Sequence, residues 1–399
     1  MSLLQGIRVL SVEQYGAGPF GTQLLSELGA EVVKIESPGD GDVSRQVGPH
    51  FENSLPETAR SLFYQSLNMG KKSVTLNLLE PQGRAVFHKL VANADVVASN
   101  LRGDVPAKLG LTYGQLSAVN PRVVCAHLTG YGREGVRATW PGYDYLMQAE
   151  AGYFDLTGEP DSPPARMGLS MVDYMTGVLL ALAAVSAVVR ARATGLGCDT
   201  DVNLFDVALY NLNYLAAWQL NAAATTTRQP RSAHPSMTPC QLYRTADGWI
   251  YLMCNKEKFW RILCERTERV QWLADPRFAG FRQRLAHREE LTVLLDDVLS
   301  TRSTAQWLER FGGSVPAAPV LNVEQALQSR FVESQGLIVS TPLAGGGSLR
   351  GIRSPIRSSV ERAGPLQPGP ALGQHTDEVL EEAGVGPLER HRLRSSGIL

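Results

Sequence analysis

Short apolar runs alternate with stretches of helical spacing through the first half of the 399-residue chain. Ile7–Val12, Glu31–Glu36 (EVVKIE), Ser73–Leu78 (SVTLNL), Asp95–Ala98 and Arg122–Leu128 (RVVCAHL) read as strands. Gly21–Leu28 and Gln82–Ala92 read as helices between them. Strands and helices that alternate in this way need crossover connections, which predicts a largely parallel sheet. Met175–Arg192 is apolar nearly all round and is expected to be an internal helix. Its longest nearly unbroken apolar run, Gly177–Val189, falls short of the about 20 residues that span a bilayer.

The pattern changes after about residue 222. Ala222–Pro235 (AAATTTRQPRSAHP) has little apolar periodicity and reads as a linker. Leu242–Met253 reads as a hairpin around Asp247-Gly248, and Lys256–Glu265, Glu289–Leu299 and Ser303–Phe311 carry helical spacing. This stretch predicts a second α/β domain. Beyond Pro319 the chain is rich in Gly and Pro, with Ala344–Gly347 expected as a flexible tip. A last helix is predicted at Thr376–Ala383, opened by a capping stretch at His375-Thr376-Asp377.

Composition narrows the function classes. Hydrophobic residues make up 44% and charged residues 19%, enough for a sizeable interior and against disorder. Lys and Arg total 38 against 39 Asp and Glu, so there is no electrostatic case for bulk nucleic-acid binding. The five cysteines are odd in number and lack CxxC spacing, and the seven histidines form no HExxH, so no metal site is expected. Met1–Val12 lacks a basic n-region and a cleavage site. The chain reads as soluble and cytoplasmic, with no membrane partner.

The sharpest local pattern is Gly16-Ala17-Gly18-Pro19-Phe20-Gly21, a formal G-x-G-x-x-G after a strand, with Glu36 ending the next strand. Such glycines let a backbone approach a pyrophosphate, and such a carboxylate holds ribose hydroxyls, so an NAD-dependent oxidoreductase is one reading. A tight strand-to-helix turn that needs glycine for packing, with Pro19 in the first helical turn, is the other. No hydride-transfer apparatus is recognisable elsewhere.

Further stretches follow in a fixed order. They are Leu28-Gly29-Ala30, Val33–Glu36, Pro38-Gly39-Asp40, Asn68–Leu78 (NMGKKSVTLNL), Asn100-Leu101-Arg102, Gly130-Tyr131-Gly132 and Pro141-Gly142-Tyr143-Asp144. Asp173 with Gly177, then Asp201–Asp206 (DVNLFD), Leu273–Phe278 (LADPRF), Pro316–Val320 (PAAPV) and Leu372–Val379 (LGQHTDEV) complete the set. Together with Ala17-Gly18-Pro19, the ordered set resembles the class III CoA-transferases, the CaiB/BaiF family, over nearly the whole chain. The resemblance implies an α/β fold: a large Rossmann-like CoA-binding domain over 1–195 completed by 325–399, a linker at 196–225, and a small α/β domain over 226–324. It also implies an interlocked homodimer. No tightly bound cofactor is implied; CoA and acyl-CoA enter as substrates beside a free carboxylic acid.

Moving CoA between acids requires that the thioester energy stay covalent while carboxylates exchange, and a side-chain carboxylate can do this by attacking the thioester carbonyl. By resemblance Asp173 is that nucleophile. It also stands alone among Met171, Val172, Tyr174 and Met175 ahead of an apolar helix, where burial would raise its pKa; an ordinary helix N-cap is the competing reading. Gly16, Ala17, Arg45, Lys71, Lys72, Asn100, Leu101, Arg102 and Lys108 lie in segments resembling the family's CoA-binding ones, and solvated surface charge is the alternative for each lysine. Tyr131, Arg166 and His234 are candidates for the substrate side.

The chain departs from the family pattern in places. Gly103-Asp104 replaces a Pro-Gly, Gly16 stands where formyl-CoA transferase has a glutamine, and no glycine run surrounds His234. Tyr143 stands where the α-methylacyl-CoA racemases, an alternative on the same fold, have a histidine base, and tyrosine is a poor base near neutral pH. Transfer to a C4–C5 dicarboxylate such as itaconate, mesaconate or malate, with succinyl-CoA as donor, is the expectation. The racemase, the NAD enzyme and a non-catalytic CoA-binding subunit stay as alternatives.

Overall fold

Strands β1 (Arg8–Val12), β2 (Glu31–Glu36), β3 (Lys72–Thr75), β4 (Val96–Ser99), β5 (Val124–Thr129) and β6 (Cys198–Asn203) form one sheet in the order β3-β2-β1-β4-β5-β6. All five pairings are parallel. The computed structural model describes residues 2–51, 54–343, 345–360 and 367–399. The order of strands reverses between β1 and β4, where Val9–Val12 pairs with Val96–Ser99. In open parallel sheets the crevice beyond the strand ends at such a reversal is where ligands bind.

β4 and β5 are buried at every position, as strands covered on both faces must be. One face carries the helix Pro81–Val91 and the C-terminal segment. Val86, Phe87 and Leu90 meet Leu10, Val33, Val74 and Val97 there, and Val379, Leu380, Leu393 and Ile398 join the same core. The Asn77 amide donates to the Ile398 carbonyl at 2.8 Å, so the chain's last turn is tied beside β3. The helix Ala17–Glu27 packs against the long helix Met171–Thr194, which also lies on β5 and β6.

The long helix corrects the membrane arithmetic of the thirteen-residue run. It has 24 residues, and its most apolar stretch reaches a mean hydropathy of 1.9, long and apolar enough to cross a membrane. Its sides differ: Val172, Thr176, Leu180, Ala184, Ala187 and Ala191 are buried, whereas Val178, Leu182 and Val189 are exposed.

The chain divides into two compact units. The first comprises Met1–Ala151, Met167–Asn213 and Gly336–Leu399, and includes the antiparallel pair Ile338–Pro342 and Ser348–Ile352. Of the expected flexible tip between those two strands, Ala344 lies outside the described residues. The second unit comprises Gly152–Arg166 and Tyr214–Gln335. Its sheet joins β7 (Cys240–Thr245), β8 (Gly248–Met253) and β9 (Ala317–Pro319), all antiparallel, with the predicted turn between β7 and β8. Tyr243, Leu252, Trp260, Phe278, Leu295 and Trp307 build its core.

Most predicted elements stand within a few residues of their expected places. The first helix starts four residues early, at Ala17, because Gly16 serves as its N-cap and Pro19 suits its first turn. The segment expected as a linker at 196–225 contains β6 and the helices Leu204–Asn211 and Tyr214–Ala222. His375 sits at the N-cap of the helix Thr376–Glu382 without capping it; its Nδ1 instead accepts the Ser73 amide at 3.2 Å.

Candidate active site

A cleft of about 700 Å³ opens at the sheet reversal of the first unit. Its walls are the turn after β1 (Gln14–Ala17), the turn after β4 (Asn100–Arg102), the end of β5 (Leu128–Gly130), Pro141–Tyr143 and Asp173.

The three glycines of the dinucleotide-like motif each face protein. A methyl group at Gly16 would lie 2.5 Å from Asp173 Oδ2. One at Gly18 would meet Asn100 Cβ at 2.6 Å, and one at Gly21 would meet the Gly177 carbonyl oxygen at 2.5 Å. The motif therefore lets a buried carboxylate, a pocket asparagine and a second helix approach the same turn. Glu36, the carboxylate assigned to a ribose in the NAD reading, is buried and already occupied. It accepts from Arg45 Nε at 2.9 Å and Nη2 at 2.6 Å, from Ser73 Oγ at 2.6 Å, and from the Asp42 amide at 3.0 Å.

Asp173 occupies the first turn of the long helix with only 8% of its surface exposed. Burial raises its carboxyl to about 7, and the negative Asp144 beside it adds to the rise. Asp144, in the first turn of the helix Asp144–Glu150, accepts the Asp173 amide at 3.0 Å through Oδ2 and the Gln148 amide at 2.6 Å through Oδ1. The first helix brings its own N-terminus to the same place, since its N-cap is Gly16 and no side chain caps it. A basic carboxylate beside unsatisfied helix-end amides can both attack a carbonyl and hold the resulting oxyanion.

Of the residues expected at the CoA side, Gly16, Ala17, Asn100, Leu101 and Arg102 line the cleft with Asp173. Asn100 is clamped to the backbone of Gln14, accepting its amide at 2.8 Å and donating to its carbonyl at 2.7 Å. Arg102 is partly exposed and shares Asp104 with Lys108.

The other basic candidates sit away from the cleft lining. Arg45 is 5% exposed, and beyond its Glu36 pair it donates to the Thr58 and Pro370 carbonyls and the Tyr64 hydroxyl. Lys71 is 3% exposed and donates to Glu13 Oε1 at 2.9 Å, the Pro19 carbonyl at 2.9 Å and Asn68 Oδ1 at 3.1 Å. Its ammonium is pushed down to about 8 by burial, against the pull of Glu13. Lys72 pairs with Glu31 and Glu378. Tyr131 donates its hydroxyl to Glu150 at 2.9 Å and meets Trp140 edge-on.

Arg166 and His234 belong to the second unit. There His234 stacks on Tyr214, its Nδ1 accepts the Ser236 amide at 3.1 Å, and burial, then Arg288, hold its pKa below the usual value.

Sequence reading missed Gln14, Tyr15 and Thr129 as cleft residues, and it missed the charged residues behind them. Lys34 offered a signal. It lies in the middle of an apolar run, where a buried parallel strand forces its ammonium to find a partner.

The CoA-transferase family III model matches residues 4–376. A succinate–glutarate CoA-transferase of Agrobacterium fabrum is 34% identical over 95% of this chain and 95% of its own length. A succinyl-CoA:mesaconate CoA-transferase of Haloarcula hispanica is 32% identical over 97% of this chain and 98% of its own. The crystal structure of a CaiB/BaiF family protein from Brucella suis superposes with a TM-score of 0.81 at 30% identity, covering 96% of this chain and 99% of that one. The chain belongs to CoA-transferase family III and is a CoA-transferase acting on CoA thioesters and carboxylic acids.

Proposed function

We propose that this transferase moves CoA from an acyl-CoA donor such as succinyl-CoA to a C4–C5 dicarboxylate such as itaconate, mesaconate or malate, through an aspartyl-CoA thioester on Asp173. The observation that carries the reading is Asp173 itself, a buried carboxyl raised to about 7 at the sheet-reversal cleft. The relatives named for glutarate and mesaconate favour a diacid acceptor.

The Asp173 carboxylate attacks the donor thioester carbonyl, the C–S bond breaks, and a mixed anhydride and CoA thiolate result. The thiolate attacks the Asp173 carbonyl, giving the aspartyl thioester and releasing the donor acid. The acceptor carboxylate attacks that thioester, forming a second mixed anhydride and freeing the thiolate again. Attack of the thiolate on the acceptor's acyl carbon then yields the new acyl-CoA and restores the Asp173 carboxylate. No proton or electron is gained or lost overall. Asp144 holds the Asp173 amide and raises the basicity of its carboxylate. Gly16 leaves room for the attack, and the amides of the first turn at Ala17 and Gly18, which no side chain caps, are assigned to the developing oxyanion. In this reading Gly16, Ala17, Asn100, Leu101 and Arg102 hold CoA, with Lys108 beside Arg102 as an outer phosphate contact. Arg45 and Lys71 support the walls from behind, Lys72 ties β2 and β3 to the helix Thr376–Glu382, and Tyr131, Arg166 and His234 are kept for the acceptor side. The proposed bounds are a large domain over 1–195 with 325–399 and a small domain over 226–324, with 196–225, which includes β6, as the segment between them.

The chain is further proposed to work in the cytoplasm without a tightly bound cofactor, as a homodimer, for which the exposed Val178, Leu182 and Val189 stripe offers apolar surface. Light scattering in solution tests the dimer, and a monomeric mass refutes it.

The test of the chemistry is a panel of acyl-CoA donors against succinate, glutarate, mesaconate, itaconate, malate and oxalate, read by mass spectrometry. Hydroxylamine trapping mid-turnover accompanies it. The expected result is a diacid-dependent product and a hydroxamate at Asp173. Label on another side chain refutes the mechanism, and preference for oxalate or a monoacid refutes the acceptor assignment.

A further inference from the structure

Four charged side chains lie behind the Gln14–Ala17 wall, each with at most 5% of its surface exposed: Glu13, Lys34, Asp42 and Lys71. They alternate in sign. Lys34 Nζ lies 2.8 Å from Asp42 Oδ2 and 3.9 Å from Glu13 Oε1, and Lys71 Nζ lies 2.9 Å from Glu13 Oε1. Buried ion pairs add little stability over apolar side chains of the same volume, so pairing alone does not account for them.

Beyond the Lys71 bond to Asn68 and the Ser44 amide on Asp42, their remaining bonds share a destination. Lys34 Nζ donates to the Glu13 carbonyl at 3.0 Å, and Asp42 Oδ1 accepts the Tyr15 amide at 3.0 Å. Lys71 Nζ donates to the Pro19 carbonyl at 2.9 Å, and Glu13 Oε1 accepts the Thr22 hydroxyl at 2.6 Å. All four bonds end on residues 13–22, the turn that carries the cleft wall. Within that turn Tyr15 holds a φ of +68°, a left-handed conformation that a bulky side chain adopts only under constraint. The next residue is Gly16, whose Cα faces the Asp173 carboxylate.

We infer that Glu13, Lys34, Asp42 and Lys71 are positioning residues: their buried network clamps the backbone at Glu13, Tyr15 and Pro19 and so aims the Gly16 turn at Asp173. The Asp42–Tyr15 bond is the central contact, because it fixes the strained residue directly. A displacement of the wall by about 1 Å would slow attack by roughly a hundredfold. This inference rests on Asp173 acting as the nucleophile.

The test compares Asp42→Ala with Asp42→Asn, the latter keeping an oxygen that can accept the Tyr15 and Ser44 amides. Single-turnover formation of the Asp173 adduct is measured beside KM for acyl-CoA and the unfolding midpoint. The clamp predicts that Asp42→Ala slows adduct formation by about tenfold or more, a larger change than any in KM. Asp42→Asn should recover most of the rate. Equal rates in Asp42→Ala and the wild type overturn the inference, as does a loss in both variants that merely follows the folded fraction.

If Asp42→Ala does not fold, amide hydrogen exchange on the unaltered protein decides. The Tyr15 amide should exchange far more slowly than that of Gly39 on its exposed loop, and equal exchange refutes the clamp. A wild-type protein with no adduct at Asp173 would refute the proposed function, and the Tyr15 exchange would still report on the clamp.

Discussion

With its carboxyl held near 7, Asp173 keeps in the folded chain a proton that the unfolded chain loses near pH 4. Between these two values the folded state binds more protons, so stability falls as pH rises from about 4 to about 7 and stays reduced above that. Three pH units correspond to about 4 kcal/mol at full effect. Asp173→Asn is therefore expected to unfold at a higher temperature than the wild type at pH 8, and the gap should close toward pH 4. Calorimetric scans across that range check it, and a gap independent of pH would contradict the raised carboxyl. Gly16→Ala acts on the same atom from the other side. Its methyl group, 2.5 Å from Oδ2, must displace the carboxylate, and kcat should fall by roughly a hundredfold. Steady-state kinetics beside circular dichroism separates this from unfolding. Asp173 was singled out in the sequence by the family resemblance; its neighbours Met171, Val172, Tyr174 and Met175 pointed only to its burial and left a helix N-cap open. The partners of Arg45 and Lys71 were not legible, because a guanidinium or ammonium reads the same whether it meets a phosphate or a buried Glu36 or Glu13. Only the long-range pairing, across 58 residues for Lys71 and Glu13, decides between them.

Helix Ala17–Glu27 and helix Met171–Thr194 meet where neither has a side chain. A methyl group at Gly177 would lie 2.5 Å from the Ala17 carbonyl oxygen and 3.1 Å from the Phe20 ring. Gly177→Ala should cost about 1–3 kcal/mol, as overpacking does, and tilt the first helix away from Asp173. Urea unfolding should show a lower midpoint with an unchanged slope, together with a fall in kcat. Elements of this kind were the readable part of the fold, since β2, β4 and β5 are short runs dominated by Val, Ile, Ala and Leu. β6 was not readable. Its sequence CDTDVN is half charged or amide and only partly buried, and its strand character comes from a six-residue register with β5. One of its aspartates explains the polarity: Asp199 Oδ1 accepts the Tyr113 amide at 3.0 Å and meets His127 Nε2 at 2.8 Å.

The chain passes between its two units at four places, near residues 151, 166, 213 and 335. The second unit is consequently built from two separated segments. Arg228 donates to the Ser162 carbonyl at 2.6 Å and the Arg231 amide donates to Glu159, so 152–166 holds the stretch before β7. Residues 214–335 made alone should keep the core of Tyr243, Trp260, Phe278 and Trp307 while residues 222–235 lose their order. Backbone NMR of that fragment, with and without a synthetic 152–166 peptide, checks the expectation. Unchanged shifts on adding the peptide would contradict it.

The tie between Asn77 and Ile398 has a consequence for how the protein is made. The sheet's first strands leave the ribosome hundreds of residues before Val379, Leu380, Leu393 and Ile398, the side chains that cover them. Until those side chains have been synthesised and released, Leu76, Leu78 and Val86 lack that part of their cover. The nascent chain thus carries a sticky half-sheet, open to solvent, through the synthesis of about three hundred residues.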